Sequence, residues 1–206
     1  MAEARAEALE GQALIPENYR RASFETFHLP QDNPAAQRGL ADVMLAVRGF
    51  TRSFPDKDKP GLLLIGPPGT GKTHLAVAAL RLLLDRGHEG IFFDYQNLLD
   101  KIRAGYSETL GTSNREAYRV ALETEILLLD DLGAHRVTDW VEDTVTAIVT
   151  HRYNHKKTLI ATTNLDLEGH TTLRERVGER AESRLFGMCR VIRMPGVNDY
   201  RIAHRN

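Results

Sequence analysis

The residues best suited to chemistry form a glycine-rich run, Gly66-Pro-Pro-Gly-Thr-Gly-Lys-Thr73. The run matches the pattern G-x-x-x-x-G-K-[ST] and lies between a strand candidate and a helix candidate. In such a loop the backbone N–H groups point at phosphate oxygens, the lysine reaches the β and γ phosphates, and the last hydroxyl binds Mg²⁺. We therefore expect a catalytic Lys72, a metal ligand at Thr73, and a phosphate site made of Gly66, Pro67, Pro68, Gly69, Thr70, Gly71, Lys72 and Thr73.

Two further sets of polar residues follow apolar runs. Ile126-Leu-Leu-Leu ends in Asp130 and Asp131, and a later run ends in Thr162-Thr-Asn164. In nucleotide hydrolases the first acid holds Mg²⁺, usually through water, and the second orients and activates the attacking water. These roles fall to Asp130 and Asp131. An amide at Asn164 can hold the same water, although Asn is also common where strands end in turns.

The elements that must position these residues follow from the hydrophobic pattern. Short apolar runs at 62–65, 90–94, 126–130, 158–162 and 189–193 are typical of strands buried on both faces of a parallel sheet. Between and before them lie helix candidates at 35–52, 73–87, 96–104, 114–122, 139–155 and 178–187. This alternation predicts a doubly wound α/β domain with its ligand at the carboxyl ends of the strands.

Composition narrows the class of protein further. Of the 206 residues 42% are hydrophobic and 27% charged, which excludes wholesale disorder. The net charge of −1 gives no overall nucleic-acid signature, although residues 151–206 carry 11 basic against 6 acidic side chains. A single cysteine, Cys189, excludes an internal disulfide. The charged N-terminus and the absence of an apolar run of about 18 residues predict a cytoplasmic protein.

The order of these motifs resembles that of AAA+ ATPases, and the flanking residues resemble the DnaC/DnaI helicase-loader and IstB-like group. The narrowest matches are Gly178-Glu-Arg-Ala-Glu-Ser-Arg-Leu185 and Asp199-Tyr-Arg201, and further matches run from the Ile15-Pro segment to about residue 202. The resemblance implies a P-loop NTPase (AAA+) core with a mainly parallel sheet and no sizeable lid domain. It also divides the chain into an N-terminal tail and adenine-covering segment, 1–34, and an ATPase domain, 35–206.

The resemblance further implies roles for individual residues. Asn164 matches the sensor-1 residue, and Arg201 matches the sensor-2 arginine that acts on its own subunit's nucleotide. Arg184 matches the arginine finger that reaches a neighbouring subunit, with Arg180 the other candidate one helical turn earlier. Tyr19 belongs to the segment that closes over the adenine. These roles imply ATP and Mg²⁺ as cofactors and a homo-oligomer as the active form, and Asp131 in place of the usual Glu implies slow hydrolysis.

The resemblance also implies partners. Proteins of this group bind single-stranded DNA, for which Lys101, Arg103 and Tyr106 are the local candidates because cations and an aromatic ring suit backbone and base. A solvated helix end explains these residues nearly as well. Only 14 residues precede Ile15, fewer than the helicase-gripping domain of such loaders needs. The resemblance implies first a DNA-replication accessory protein of the helicase-loader type, with a replicative helicase as partner, and second an IstB-like transposition helper, with a transposase as partner. A small-molecule kinase and a nucleotide-gated adaptor with little turnover are the rival interpretations.

Overall fold

A computed structural model describes residues 2–104, 113–166, 171–197 and 199–200 of the chain. Its strands are β1 (Gly61–Ile65), β2 (Gly90–Asp94), β3 (Ile126–Asp130), β4 (Thr158–Thr163) and β5 (Cys189–Arg193). Its α-helices are α1 (Ala2–Gln12), α2 (Pro34–Arg52), α3 (Lys72–Asp85), α4 (Tyr95–Ala104), α5 (Ser113–Glu123), α6 (Asp139–Asn154), α7 (Leu173–Val177) and α8 (Glu179–Met188). A 3₁₀-helix spans Glu17–Tyr19.

The five strands form one sheet in the order β2-β3-β4-β1-β5, and all neighbours are parallel. The register pairs Ile65 of β1 with Thr163 of β4, and Asp94 of β2 with Asp130 of β3. Since all strands run in one direction, the polar residues that follow β1, β3 and β4 meet at one edge of the sheet. This parallel sheet agrees with the predicted α/β fold.

Helices cover both faces of the sheet because alternate strand residues point to opposite sides. Leu63 and Ile65 join a cluster that includes residues of α4 to α8. Leu62 and Leu64 join a second cluster with residues of α2, α3 and the segment 13–24. The inner strands β1, β3 and β4 are buried along their whole length, as expected of a parallel sheet covered on both faces, whereas the edge strands β2 and β5 are partly exposed. The doubly wound arrangement is therefore confirmed.

The helix bounds follow recognisable capping chemistry. Asn33 accepts a hydrogen bond from the Ala36 N–H at the start of α2, with Pro34 at its first position. Thr138 caps α6 in the same way. The short helix α7, which the hydrophobic pattern did not predict, begins with a capping box of Thr172 and Glu175.

Arg152 of α6 joins α5 to the amino-terminal end of the sheet. Its side chain is fully buried, and it donates hydrogen bonds to five backbone carbonyls, those of Ala121, Leu122, Thr124, Glu125 and Thr158. Burial lowers the pKa of Arg152 to about 9, which still leaves the guanidinium charged at neutral pH. The N–H groups of the guanidinium donate to carbonyls that the end of α5 leaves without helical partners.

No described helix combines the length and the apolar character that crossing a bilayer requires.

Candidate nucleotide site

The loop 66–71 joins β1 to α3 and forms the floor of the site. Gly69 and Gly71 adopt φ angles of +75° and +89°, a region that L side chains rarely enter. The Lys72 side chain is buried, and its Nζ donates 2.8 Å hydrogen bonds to the carbonyls of Gly66 and Pro67. The loop therefore wraps its own lysine and leads into the amino end of α3, where helix N–H groups favour an anion.

Three oxygen-bearing side chains meet beside this loop. The Thr73 hydroxyl donates to Asp130 Oδ1 at 2.9 Å, and the Thr162 hydroxyl donates to the same oxygen at 2.6 Å. Thr162 Oγ1 in turn accepts from the backbone N–H of Asp131 at 3.0 Å. The ends of α3, β3 and β4 are thus joined through one carboxylate.

Burial dominates the electrostatics of Asp130. The residue is 7% exposed, and this desolvation raises the pKa of its carboxyl, with a smaller contribution in the same direction from the charge of Asp131. The hydroxyls of Thr162 and Thr73 act in the opposite direction because they donate to the charged form. A cation bound here would offset the cost of burying the charged carboxylate of Asp130.

Asp131 and Asn164 form the second predicted pair. Asn164 Nδ2 donates to Asp131 Oδ1 at 2.9 Å, and both residues are more exposed than Asp130. Asp131 has a φ of +56°, a left-handed conformation that a non-glycine residue rarely adopts. This turn points the side chain away from the line of β3 and towards the end of β4.

The N-terminal segment contacts the loop through residues that the sequence did not single out. A Cβ on Gly71 would lie 2.5 Å from the Phe27 ring, and that ring also meets His74 edge-on at a centroid distance of 5.4 Å. His74 Nε2 lies 2.8 Å from the Ser23 carbonyl, and burial lowers the pKa of this imidazole. The neutral ring therefore carries its proton on Nε2 and fastens segment 23–28 to α3.

The C-terminal residues reach the same loop from the other side. The backbone N–H of Tyr200 donates to the Gly69 carbonyl at 3.2 Å, and a Cβ on Gly69 would collide with the Asp199 carboxyl group. The Tyr200 ring lies parallel to that of His28 at a centroid distance of 5.9 Å. The loop is thus enclosed by segments more than 160 residues apart in sequence.

The other predicted site residues lie on the N-terminal 3₁₀-helix, on α8 or outside the described residues. Tyr19 packs on the hydrophobic cluster formed by α2 and α3. Arg184 is half-buried and donates to the Arg180 carbonyl at 3.0 Å, so both arginines lie on one face of α8. Arg201 lies outside the described residues, so its role stays a prediction.

The nucleic-acid candidates lie on α4. Lys101 Nζ is 5.5 Å from the Phe93 ring centroid, and the Arg103 guanidinium is 4.5 Å from that of Trp140, a residue for which the sequence suggested no function. Both cations are exposed. Tyr106 lies outside the described residues. The aromatic contacts show that these cations already have local partners.

The donor set suits Mg²⁺. The site presents the hydroxyl oxygen of Thr73 and the carboxylate oxygens of Asp130 within hydrogen-bond distance of one another, and oxygen donors of this kind are what Mg²⁺ prefers. The described residues hold no group of three or more His, Cys, Asp or Glu side chains that would bind a metal alone. This fits an ion held by one carboxylate, one hydroxyl and substrate phosphates.

Comparison with known proteins agrees with this geometry. The chain is 25% identical over 175 residues to the replicative helicase loader DnaC of Buchnera aphidicola subsp. Baizongia pistaciae (strain Bp), covering 85% of this chain and 67% of that protein. It is 26% identical over 195 residues to the phage-like element PBSX protein XkdC of Bacillus subtilis (strain 168), covering 92% and 70% respectively. A crystal structure of the DnaC helicase loader matches with a TM-score of 0.73 and 32% identity, covering 87% of this chain and 100% of that one.

The parallel sheet, the phosphate loop and these similarities define a P-loop protein of the AAA+ type. The model of the IstB-like ATP binding protein family matches residues 13–206. The chain belongs to that family.

Proposed function

We propose that this protein binds Mg·ATP at the carboxyl edge of its sheet and hydrolyses it slowly to ADP and phosphate. The observation that carries the proposal is the meeting of Thr73, Asp130 and Thr162 beside the lysine of the phosphate loop. A phosphate loop alone would suit many nucleotide-binding proteins. A loop joined to two acids and an amide from neighbouring strands suits hydrolysis, because it offers groups for metal, phosphate and water together.

Each residue has a defined part in this proposal. Loop N–H groups and Lys72 hold the phosphates, and Thr73 with Asp130 would hold Mg²⁺, which when bound neutralises charge on the β and γ phosphates. Asp131 accepts a proton from the attacking water. Asn164, which donates to Asp131, orients that carboxylate and the water.

The site is completed by a second copy of the chain. Arg180 and Arg184 lie on one face of α8, and neither forms an ion pair in the part of the chain that the structure describes. By contrast, Arg174 on the neighbouring helix pairs with Glu179 and Glu182. A guanidinium without a carboxylate partner is suited to γ-phosphate charge across a subunit interface. We assign the finger to Arg184, with Arg180 as the alternative.

We propose that the protein has an ATP-dependent accessory role in DNA replication, of the helicase-loader type. Similarity to proteins named as replicative helicase loaders supports it. Membership of the IstB-like family supports a transposition helper as the alternative. Lys101 and Arg103 are the described residues that we assign to single-stranded DNA, since both cations are exposed and can contact backbone phosphates.

A second candidate is a nucleotide-gated adaptor with little turnover. The observation that favours it is the Asn164 hydrogen bond to Asp131, because a short carboxylate already engaged by an amide is a weak general base. In this role the bound nucleotide would hold a protein partner without being consumed.

Equilibrium binding of ATP and steady-state turnover, measured on the same preparations, test the proposal. Wild-type protein should bind ATP in the presence of Mg²⁺ and release phosphate, whereas Lys72→Ala should lose binding and Asp131→Asn should bind but not turn over. Tight binding by Lys72→Ala would contradict the phosphate-loop assignment. Binding by the wild type with turnover no faster than that of Asp131→Asn would favour the adaptor.

A further inference from the structure

A cavity of about 580 Å³ lies on the face of the molecule covered by α2 and α3, at the far end of α3 from the phosphate loop. Its walls come from the second half of α2, the second half of α3 and the chain segment Ala22–Glu25. Its α3 wall begins at Ala78, six residues or about 9 Å along the helix axis from Lys72, and no residue of the phosphate loop lines it. The cavity is therefore distinct from the nucleotide site, although its wall residue Ser23 also contacts His74 beside that site.

Guanidinium groups dominate the charge of this cavity. Arg48, Arg52, Arg81 and Arg86 line it, against the carboxylates of Glu25 and Asp85. Arg48 is paired with Glu25, and Arg81 is paired with Glu10 from α1. Within the described part of the chain the Arg52 side chain has neither a hydrogen bond nor an ion pair. The lining therefore carries more positive than negative side chains.

Two of these arginines are held in place by the backbone. Arg86 Nη1 donates to the Thr51 carbonyl at 2.6 Å, and Arg81 Nη1 donates to the Ala22 carbonyl at 3.0 Å. A guanidinium has five N–H donors, so each keeps donors for a ligand after these bonds. Because their positions are set before a ligand arrives, little side-chain entropy is lost on binding.

Apolar side chains also line the cavity, beside the polar Ser23 and Thr51. Leu45 of α2 is 55% exposed beside the arginines, and Leu82 of α3 is half-buried. An exposed leucine at the mouth of a basic cavity is poorly suited to a free phosphate or a nucleic-acid backbone, which offers no apolar group to cover it. A peptide that carries both carboxylates and apolar side chains matches the charge and the apolar wall together.

We propose that this cavity binds a short acidic segment of a protein partner, with a carboxylate on Arg52 and Arg86 and an apolar side chain over Leu45. The wall segment connects the bound peptide to the nucleotide site. Its Ser23 carbonyl is bound by His74, and four residues later Phe27 lies against Gly71 of the phosphate loop. Peptide binding therefore changes ATP affinity, and ATP changes peptide affinity by the same factor.

Fluorescence anisotropy with a short fluorescein-labelled peptide of glutamate and leucine tests the proposal, with the same peptide carrying lysine for glutamate as a second probe. Arg52→Glu should weaken the acidic peptide at least tenfold, and Leu45→Ser should weaken it several-fold. Arg38→Glu is the matched control, since Arg38 is an exposed arginine of the same helix that does not line the cavity. It should bind as the wild type does.

Three results would overturn the proposal. The first is failure of the acidic peptide to bind at millimolar concentration. The second is that Arg52→Glu and Arg38→Glu weaken peptide binding equally. The third is that inorganic pyrophosphate abolishes peptide binding while Leu45→Ser leaves it unchanged. ATP affinity, measured with and without saturating peptide, tests the connection between the cavity and the nucleotide site. We expect the affinity to change at least threefold. An unchanged affinity would exclude the connection. The anisotropy readout requires no ATP hydrolysis, so its outcome is independent of the proposed activity.

Discussion

The Thr162 hydroxyl donates a 2.6 Å hydrogen bond to the buried carboxylate of Asp130 and accepts one from the backbone N–H of Asp131. One β4 side chain thus sets the direction of the first acid and the backbone of the second. Thr73 binds the same carboxylate oxygen from the α3 side. The proposed metal-binding and water-activating groups are therefore linked through a threonine with no catalytic role of its own.

Thr162→Val should lower ATP turnover by at least tenfold, because it removes the hydroxyl that orients Asp130 and Asp131 and leaves the side-chain volume almost unchanged. The expected loss of unfolding free energy is about 1–2 kcal/mol. Thr163→Val is the matched control, since its equally buried hydroxyl bonds the Leu132 carbonyl and not the acids. Similar turnover in the two variants, measured by phosphate release, would contradict a role for Thr162 in the site.

Asp199→Asn should tighten ATP binding several-fold. The carboxylate of Asp199 rests against Gly69 of the phosphate loop, where a triphosphate would meet it with like charge. Asp58→Asn, in the exposed loop before β1, is the control for a change of net charge alone. Isothermal titration of ATP distinguishes the outcomes, and weaker binding by Asp199→Asn than by Asp58→Asn would show that the carboxylate supports the loop instead.

Arg152→Met should cost about 3 kcal/mol or more of unfolding free energy, since five backbone carbonyls lose their donor and buried carbonyls without partners are expensive. Arg119→Met removes an exposed ion pair with Glu116 and should change stability far less, because solvent screens that pair. Urea unfolding measures both. Equal stability of the two variants would contradict the structural role of Arg152.

His74 should make stability depend on pH. Burial lowers its pKa below the ordinary value of 6.5, so the unfolded chain binds more protons here than the folded one as the pH falls through this range. The stabilising contribution is therefore present above 6.5 and is lost as pH drops through the folded-state pKa. His74→Gln should reduce the fall in Tm between about pH 7 and about pH 5.5, whereas His135→Gln should not. An unchanged fall would place the titration elsewhere.

Local patterns predicted much of this molecule. All five predicted strands are present. The inner strands β1 and β3 left a continuous apolar signal because they are buried on both faces, whereas β5 was predicted from a shorter run with arginines at two positions. Five residues are too few for a periodic signal, and for this reason α7 was missed. Lys72 and Thr73 could be chosen from the phosphate-loop pattern, and Asp130, Asp131 and Asn164 because each ends or follows a strand. The structure brings these residues to one edge of the sheet.

The contacts made by distant segments could not be predicted in this way. Phe27 and Asp199 reach the loop through folding of both chain ends, and no spacing in the sequence relates them to it. Thr162 carried a weak signal, since it lies two residues before Asn164 at the end of the same strand. A hydroxyl that bonds an acid across two strands is visible only once the strand order is known.

The most direct test of the account is ATP turnover in mixtures of Arg184→Ala and Asp131→Asn proteins. Each should be inactive alone, and an equal mixture should recover about a quarter of wild-type turnover, because one interface in four then joins an intact acid to an intact arginine. The wild type should lose specific activity on dilution. Full activity of Arg184→Ala alone, or a mixture as inactive as its components, would contradict a site completed by Arg184 of a neighbouring subunit.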